Sequence, residues 1–192
     1  DRCFGKPYSE AVHWILSDSI PEWAGKMVVR PTAPASAQVP LAFSALPASN
    51  AVDVEPAFAR AGTMICSNAS SYRMEPDVSI LFPEVNPDQA KVIDVQRRLR
   101  GWSGGIITNS NCTSTGMSVA LNPLLDNFGL KKVFAVSMQA LSGAGYPGVS
   151  SLDIIDNVVP LIKGEEAKVE SEPRKILGTL QGNAIVSADF TI

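Results

Sequence analysis

Short apolar stretches alternate with a helical pattern in the first half of the chain. Four stretches are β-branched or apolar and predict strands: residues 26–32, 40–46, 63–67 and 79–85. Residues 52–61 have helical spacing, with Val54 and Phe58 on one face and Gly62 as the stop. Alternation of this kind predicts an α/β fold with a mostly parallel sheet.

The same alternation continues after a predicted strand at residues 104–110. Apolar residues between Met117 and Phe128 follow at helical spacing, and Gly129 ends the run. Pro123 lies inside this segment and predicts a kink, because proline cannot donate the helical hydrogen bond.

The last third predicts a long strand at residues 133–141 and then a glycine-rich turn at residues 143–148. The turn is a literal GxGxxG, but Pro147 stands where a phosphate-binding helix would begin, which favours a turn beside a ligand or a structural turn. Residues 163–177 have a charged, helical composition that Pro173 is expected to interrupt.

Composition narrows the possible functions. The chain has 192 residues, 45% of them apolar and 18% charged, with a net charge of −3. This balance predicts no nucleic-acid partner, and the basic cluster Arg97, Arg98 and Arg100 is interpreted as the solvated side of a short helix. No apolar run reaches the ~18 residues of a membrane span and no leader opens the chain, so we expect no membrane partner and a cytoplasmic location.

The cysteines favour free thiols. Cys3, Cys66 and Cys112 are widely spaced, form no CxxC pair, and are accompanied by one histidine, His13, so no metal site and no disulfide framework is predicted. Cys66 lies in an apolar strand and is interpreted as unreactive core. His13 is interpreted as a packed or surface residue.

Cys112 carries the clearest chemical signal. It lies where a predicted strand gives way to a helix, so its sulfur would face unpaired N–H groups and the positive end of the helix dipole. That environment favours the thiolate, the form in which cysteine is a nucleophile. A small buried residue at a strand–helix junction is the alternative.

Several motifs, in this order, resemble aspartate-semialdehyde dehydrogenase of the archaeal and fungal branch. The motifs are FSALP at 43–47, SNASSYR at 67–73, NSNC at 109–112, QALSGAGYPGVSSLDIID at 139–156, GEEAK at 164–168 and KILG at 175–178. The run at 139–156 is the most specific of them, and the resemblance extends along nearly the whole chain.

The resemblance implies a Rossmann-like NADP-binding domain at residues 1–110 and a mixed α+β catalytic and dimerisation domain at residues 111–192. It implies NADPH-dependent reductive dephosphorylation of L-aspartyl-4-phosphate to L-aspartate-4-semialdehyde, a step toward threonine and methionine, by a homodimer or homotetramer. It also implies a dinucleotide glycine motif before residue 1, and a carboxylate-binding arginine and a general-base histidine after residue 192. The chain is therefore expected to lack both ends of the family's subunit.

The resemblance also implies roles for individual residues. The catalytic residues would be the nucleophile, an oxyanion-stabilising amide and a substrate-orienting amide: Cys112, Asn111 and Gln139. Two cations would bind phosphate and one carboxylate would receive the substrate ammonium: Arg73, Lys168 and Glu166. The cofactor would lie along Ser44, Ala45, Leu46, Pro47, Ser142 and Gly143, with Arg2 at the adenosine 2′-phosphate.

Three alternatives stay open from the residues. Malonyl-CoA reductase and N-acetyl-glutamyl-phosphate reductase share the cysteine–thioester chemistry. Arg73 and Lys168 favour a phosphorylated substrate over a CoA ester, although CoA also carries phosphates. A fragment that only folds or dimerises is the third.

Overall fold

The computed structural model describes residues 3–192, which form two small sheets and seven α-helices. The strands are β1 (Leu41–Ser44), β2 (Met64–Ser67), β3 (Gly105–Thr108), β4 (Thr179–Gln181) and β5 (Ala184–Val186). The helices are α1 (Tyr8–Ala11), α2 (Glu22–Gly25), α3 (Ala48–Arg60), α4 (Val92–Arg100), α5 (Cys112–Phe128), α6 (Ser151–Ile154) and α7 (Glu165–Ile176). Short 3-10 turns lie at Pro34–Ser36, Pro87–Lys91 and Leu141–Ala144.

The main sheet is parallel, which confirms the predicted α/β class. Its strand order is β1-β2-β3, and in the pairing Met64 lies opposite both Leu41 and Gly105. The antiparallel pair β4-β5 forms a separate two-stranded sheet. A buried cluster that includes Phe58, Ile65 and Ile106 joins α3 to the sheet. All three strands of the main sheet therefore end at the same edge, where a ligand crevice is expected in such folds.

Helix α3 begins four residues earlier than its periodicity predicts. Pro47 stands at its N-cap position without a side-chain cap, so the usual polar start signal is missing from the sequence. Pro56 lies inside the helix and cannot donate to the carbonyl of Val52. The hydroxyl of Tyr72 donates to that carbonyl instead, at 2.7 Å, and so replaces the missing bond.

The strand predicted at residues 79–85 is wrong. The segment makes only an isolated parallel bridge, between Ile80 and Thr108. The side chain of Asn86 takes the place of a partner strand, since its Oδ1 accepts from the N–H of Phe82 at 2.7 Å and its Nδ2 donates to the carbonyl of Ile80 at 2.9 Å. A side chain that satisfies the backbone locally competes with a ladder and ends it.

The strand predicted at residues 26–32 is also wrong. Within the described residues its one pairing is an isolated antiparallel bridge between Val28 and Pro7. Proline has no N–H to extend the ladder, and α1 begins at the next residue, Tyr8.

The prediction of a long strand at residues 133–141 is the third that is wrong. Its one backbone hydrogen bond to a distant segment of residues 3–192 is that of the Val133 N–H, which donates to the carbonyl of Thr191 at 2.8 Å. Beyond it, Phe134, Val136 and Met138 are 91%, 96% and 97% exposed. The segment has a strand's composition, but no strand within residues 3–192 pairs with it.

Proline does not interrupt the two later helices. Helix α5 runs through Pro123, and α7 runs through Pro173, where the sequence predicts an interruption. Pro173 is almost fully buried, so tertiary packing outweighs the loss of a single helical hydrogen bond. No helix within residues 3–192 has the length and apolarity to cross a membrane.

The basic cluster on α4 is not simply a solvated face. Arg100 binds both oxygens of Asp77 and stacks over Trp102, with its guanidinium carbon 5.1 Å from the ring centre. Arg97 donates from Nε to the carbonyl of Gly104 at 2.9 Å. These side chains tie α4 to the loop before β3, because a planar guanidinium can satisfy several acceptors at once.

Candidate active site

A cleft of about 630 Å³ opens at the carboxyl edge of the main sheet. Its walls come from the segments that follow the three parallel strands: Leu46 and Ala48 after β1, Asn68, Ala69, Ser70 and Arg73 after β2, and Asn109, Ser110, Asn111, Cys112 and Thr115 after β3. Lys168 of α7 completes the wall. The sheet therefore brings together residues that are far apart in the chain, including five of the predicted site residues: Leu46, Arg73, Asn111, Cys112 and Lys168.

Cys112 is the first residue of α5 and is exposed in the cleft. Helix α3 also begins at the cleft, at Ala48. Each helix start contributes partial positive charge, so two long helices favour an anion in the same space. The strand–helix junction that the sequence predicts at Cys112 is confirmed, and the role of Cys112 as a nucleophile stays a prediction.

Asn111 is the N-cap of α5. Its Oδ1 accepts from the N–H groups of Thr113 at 2.9 Å and Ser114 at 3.3 Å. Its Nδ2 donates to Oε2 of Glu165 at 3.0 Å. Both ends of the amide are therefore engaged, and in this geometry Asn111 fixes the start of the helix that carries Cys112. Its predicted oxyanion role stays a prediction.

Arg73 borders the cleft but is paired inside the protein. It is 8% exposed, its Nη1 lies 3.0 Å from Oε1 of Glu172, and its Nη2 donates to the carbonyl of Asn68 at 2.8 Å. Its Nε is buried and has no acceptor among residues 3–192. The guanidinium is thus held in one orientation, with its charge partly compensated.

Lys168 differs from Arg73 in its charge environment. It is half-buried in the cleft wall, and in the described part of the chain no carboxylate lies within ion-pair distance of its ammonium. Lys168 is therefore the cation of the cleft whose charge stays available to a ligand.

Of the two neighbouring glutamates at the start of α7, Glu165 faces the nucleophile helix. Its Oε1 accepts from Oγ1 of Thr113 at 3.0 Å, in addition to the bond from Asn111. Glu166, which was predicted to receive the substrate ammonium, is exposed and outside the cleft wall. The structure does not bring Glu166 to the other site residues.

One face of α7 explains this difference. Glu165, Lys168, Glu172 and Lys175 recur at intervals of three, four and three residues, which places them on the same side of the helix. Glu172 and Lys175 are each 2% exposed. Sequence reasoning missed these two residues. The available signal was that the charged residues recur at intervals of three and four, the spacing of one face of a helix.

Lys175 anchors this face to the loop that carries Arg73. Its Nζ donates to the carbonyls of Arg73 and Glu75, the second at 2.6 Å. Burial lowers the pKa of Lys175 to about 8, against the opposing effect of Asp77 and Glu75. The ammonium is held by neutral carbonyls, which compensate its charge less well than a carboxylate would.

The predicted cofactor residues fall into two groups. Ser44 is the last residue of β1 and residues 45–47 follow it. Leu46 lines the cleft, and Oγ of Ser44 is buried without a partner in the described residues. Ser142 and Gly143 lie with Gln139 on an exposed segment outside the cleft wall. Arg2 lies outside the described residues.

Two family models match the chain. The semialdehyde dehydrogenase NAD-binding domain matches residues 2–93, and the semialdehyde dehydrogenase dimerisation domain matches residues 121–191. Together with the parallel sheet and the cysteine cleft, these matches define the class: the chain is built as a semialdehyde dehydrogenase, with a Rossmann-like NAD-binding domain and a dimerisation domain. The predicted boundary between residues 110 and 111 lies between the matched ranges and stays a prediction.

Individual relatives indicate which family of semialdehyde dehydrogenases the chain belongs to. The chain is 50% identical over 192 residues to an aspartate-semialdehyde dehydrogenase of Archaeoglobus fulgidus, covering 100% of this chain and 56% of that protein. A crystal structure of the Candida albicans aspartate semialdehyde dehydrogenase with NADP superposes with a TM-score of 0.84 at 34% identity, covering 99% of this chain and 56% of that one. The chain belongs to the aspartate-semialdehyde dehydrogenase family, in its archaeal and fungal branch.

The chain spans only about half the length of these relatives. It is also 42% identical over 180 residues to a malonyl CoA reductase (NADP) of Metallosphaera sedula, covering 93% of this chain and 50% of that protein. The chain is therefore similar to relatives that are named for different substrates.

Proposed function

We propose that the whole protein catalyses NADPH-dependent reductive dephosphorylation of L-aspartyl-4-phosphate to L-aspartate-4-semialdehyde, in the route to threonine and methionine. The observation that carries this proposal is the arrangement of one cleft: Cys112 at a helix start, beside the unpaired cation Lys168 and the oriented guanidinium of Arg73. An acyl phosphate needs a nucleophile for its carbon and cations for its leaving group, and this cleft supplies both.

The thiolate of Cys112 attacks the acyl carbon, and the C–O bond to phosphate breaks with its electron pair. The products of this step are a thioester on Cys112 and inorganic phosphate, whose charge Lys168 and Arg73 stabilise. Reduction of the thioester gives a tetrahedral adduct on Cys112. When the C–S bond of this adduct breaks, the thiolate of Cys112 is regenerated and the aldehyde is released. Asn111 keeps the sulfur at the head of α5 throughout, because its amide caps that helix.

The substrate ammonium requires a carboxylate near the cleft. Glu165 is better placed than Glu166, because its oxygens already reach Asn111 and Thr113 beside the nucleophile. We assign the ammonium to Glu165 in place of Glu166. Gln139, predicted to orient the substrate, keeps that role as a prediction.

NADP fits the open side of the cleft. The unpartnered hydroxyl of Ser44 and the first turn of α3 lie at the carboxyl end of β1, where a dinucleotide lies in folds of this kind. When bound, the reduced cofactor NADPH would supply the hydride that reduces the thioester. Residues 44–47 would hold the cofactor beside the cleft wall, and Arg2 and residues 142–143 remain predicted contacts.

A homodimer or homotetramer is part of the proposal. The match to a dimerisation domain supports it, and so does a run of exposed apolar side chains in that half of the chain: Phe128, Phe134, Val136, Met138, Leu152 and Val158. Exposed apolar surface of this extent is characteristic of interfaces.

The test is a coupled pair of assays on the intact enzyme. We expect phosphate-dependent reduction of NADP with aspartate semialdehyde, which is the reverse reaction, and little oxidation of NADPH with malonyl-CoA. Faster turnover of malonyl-CoA would support the alternative that the protein is a malonyl-CoA reductase, the activity for which the Metallosphaera sedula relative is named. Turnover of neither substrate would refute both assignments.

A further inference from the structure

We propose that Glu172 is a positioning residue that sets the spacing between the phosphate-binding guanidinium of Arg73 and the nucleophile Cys112. Its Oε1 lies 3.0 Å from Nη1 of Arg73, and its Oε2 accepts from the N–H of Asn111 at 2.6 Å. Asn111 immediately precedes Cys112. The inference rests on the proposed function, because it concerns how Arg73 and Cys112 of that site are held in position relative to each other.

A single carboxylate thus joins two loops that are distant in sequence. Arg73 lies 99 positions from Glu172, and Asn111 lies 61 positions from it. The loop with Arg73 follows β2, and the loop with Asn111 follows β3. Glu172 is 2% exposed, so water cannot take over either hydrogen bond when one partner moves. A displacement of one loop therefore breaks a bond that the other loop shares.

The helix that carries Glu172 is fixed at its far end. Gln89 donates from Nε2 to the carbonyls of Lys175, Ile176 and Gly178, at distances between 2.9 and 3.1 Å. Lys175 binds the backbone of the Arg73 loop. Glu172 consequently projects from a rigid element, and its position is transmitted to the two loops.

The charge of Glu172 has a second consequence. It partly compensates the charge of Arg73, whereas in the described part of the chain Lys168 has no carboxylate partner. Two roles can therefore be separated by experiment. A positioning residue strengthens phosphate binding by orienting Arg73, whereas a mere counter-charge weakens it by competing for Arg73.

The experiment compares Glu172→Gln with Glu170→Gln in the intact enzyme. Glutamine keeps the size but has one acceptor oxygen, so it cannot satisfy both Arg73 and the N–H of Asn111. Glu170 is exposed on the same helix and serves as the matched control. For Glu172→Gln we expect kcat to fall on the order of 10- to 100-fold and the KM for phosphate to rise several-fold, with the KM for NADP unchanged.

A binding readout keeps this test independent of turnover. Iodoacetamide alkylation of Cys112 is measured against increasing inorganic phosphate, and the half-protecting concentration is expected to rise several-fold in Glu172→Gln. Tighter protection, or values equal to those of Glu170→Gln, would overturn the positioning role. If Glu172→Gln does not fold, Glu172→Asp carries the test: reduced kcat with unchanged KM for NADP supports the role, and wild-type kcat refutes it.

Failure of the proposed function gives a different pattern. In that case the wild-type enzyme itself would show no phosphate-dependent turnover, and phosphate would not protect its Cys112 from alkylation. Failure of the role of Glu172 would appear as normal wild-type behaviour that Glu172→Gln leaves unchanged.

Discussion

The carboxylate of Glu165 accepts a hydrogen bond from Nδ2 of Asn111 at 3.0 Å, across 54 positions of sequence. This bond links the start of α7 to the start of α5, where Cys112 lies. The other end of the Asn111 amide caps α5. Cys112 is therefore positioned by a cap that is itself held from a second helix.

Asn111→Ala should reveal the strength of this cap. The change removes the acceptor for two helix N–H groups and the donor to Glu165, so we expect the free energy of unfolding to fall by about 1 kcal/mol, within a range of about 0.5–2 kcal/mol. Urea denaturation measures the change. Asn122→Ala, on the exposed part of α5, is the control, and an equal loss in both variants would contradict the assignment.

Cys112→Ser should abolish turnover without unfolding the protein. Serine keeps the shape of the exposed side chain but is a far weaker nucleophile, so we expect kcat to fall by at least about 1,000-fold. Thermal unfolding and NADP binding should be unchanged. Cys66→Ser is the control, because burial raises the pKa of the Cys66 thiol and keeps it protonated. Substantial activity in Cys112→Ser would refute the mechanism.

Lys168→Met should act on phosphate rather than on the cofactor. A charge-assisted contact contributes about 1.5–3 kcal/mol, so its loss should raise the KM for phosphate by about 10- to 100-fold in the reverse assay. The KM for NADP should stay constant. Lys163→Met, outside the cleft wall, provides the comparison. A phosphate KM equal in both variants would remove Lys168 from the site.

Lys175 should make stability depend on pH in the alkaline range. Burial lowers its folded-state pKa from 10.5 to about 8, so between these values the unfolded chain holds more protons than the folded protein. Stability contributed by this residue therefore rises as pH increases from about 8 to about 10.5, by up to about 3 kcal/mol.

Urea denaturation at several pH values tests this dependence on Lys175. In Lys175→Met the rise attributable to this group should disappear, although the variant also loses two hydrogen bonds to backbone carbonyls. The comparison therefore concerns the slope with pH and not the absolute stability. Lys163→Met should keep the wild-type slope, and an identical slope in Lys175→Met would show that the ammonium of Lys175 titrates normally.

Local patterns in the sequence were sufficient to predict the α/β fold class. Residues 40–46, 63–67 and 104–110 contain the three strands of the main sheet, because apolar and β-branched runs between turn signals are a local property. The junction at Cys112 is local as well, since the strand, the capping asparagine and the helix are consecutive.

The same reasoning failed where local composition was ambiguous. Residues 133–141 have the composition of a strand, yet a strand requires a partner and none pairs with this segment within residues 3–192. Residues 79–85 have a similar composition, but Asn86 satisfies their backbone from its side chain. Pro173 was expected to break α7, and burial against the rest of the protein kept the helix intact.

The sequence by itself determined the three strands of the main sheet, the cysteine at a helix start and, through its motifs, the family. Only the tertiary structure decided which carboxylates contact the residues that line the cleft. Glu165 and Glu166 are adjacent and chemically identical, and their roles separate because successive helical residues point about 100° apart. Glu172 became part of the site through partners 61 and 99 positions away, and contacts at that separation are created by packing and have no local signature.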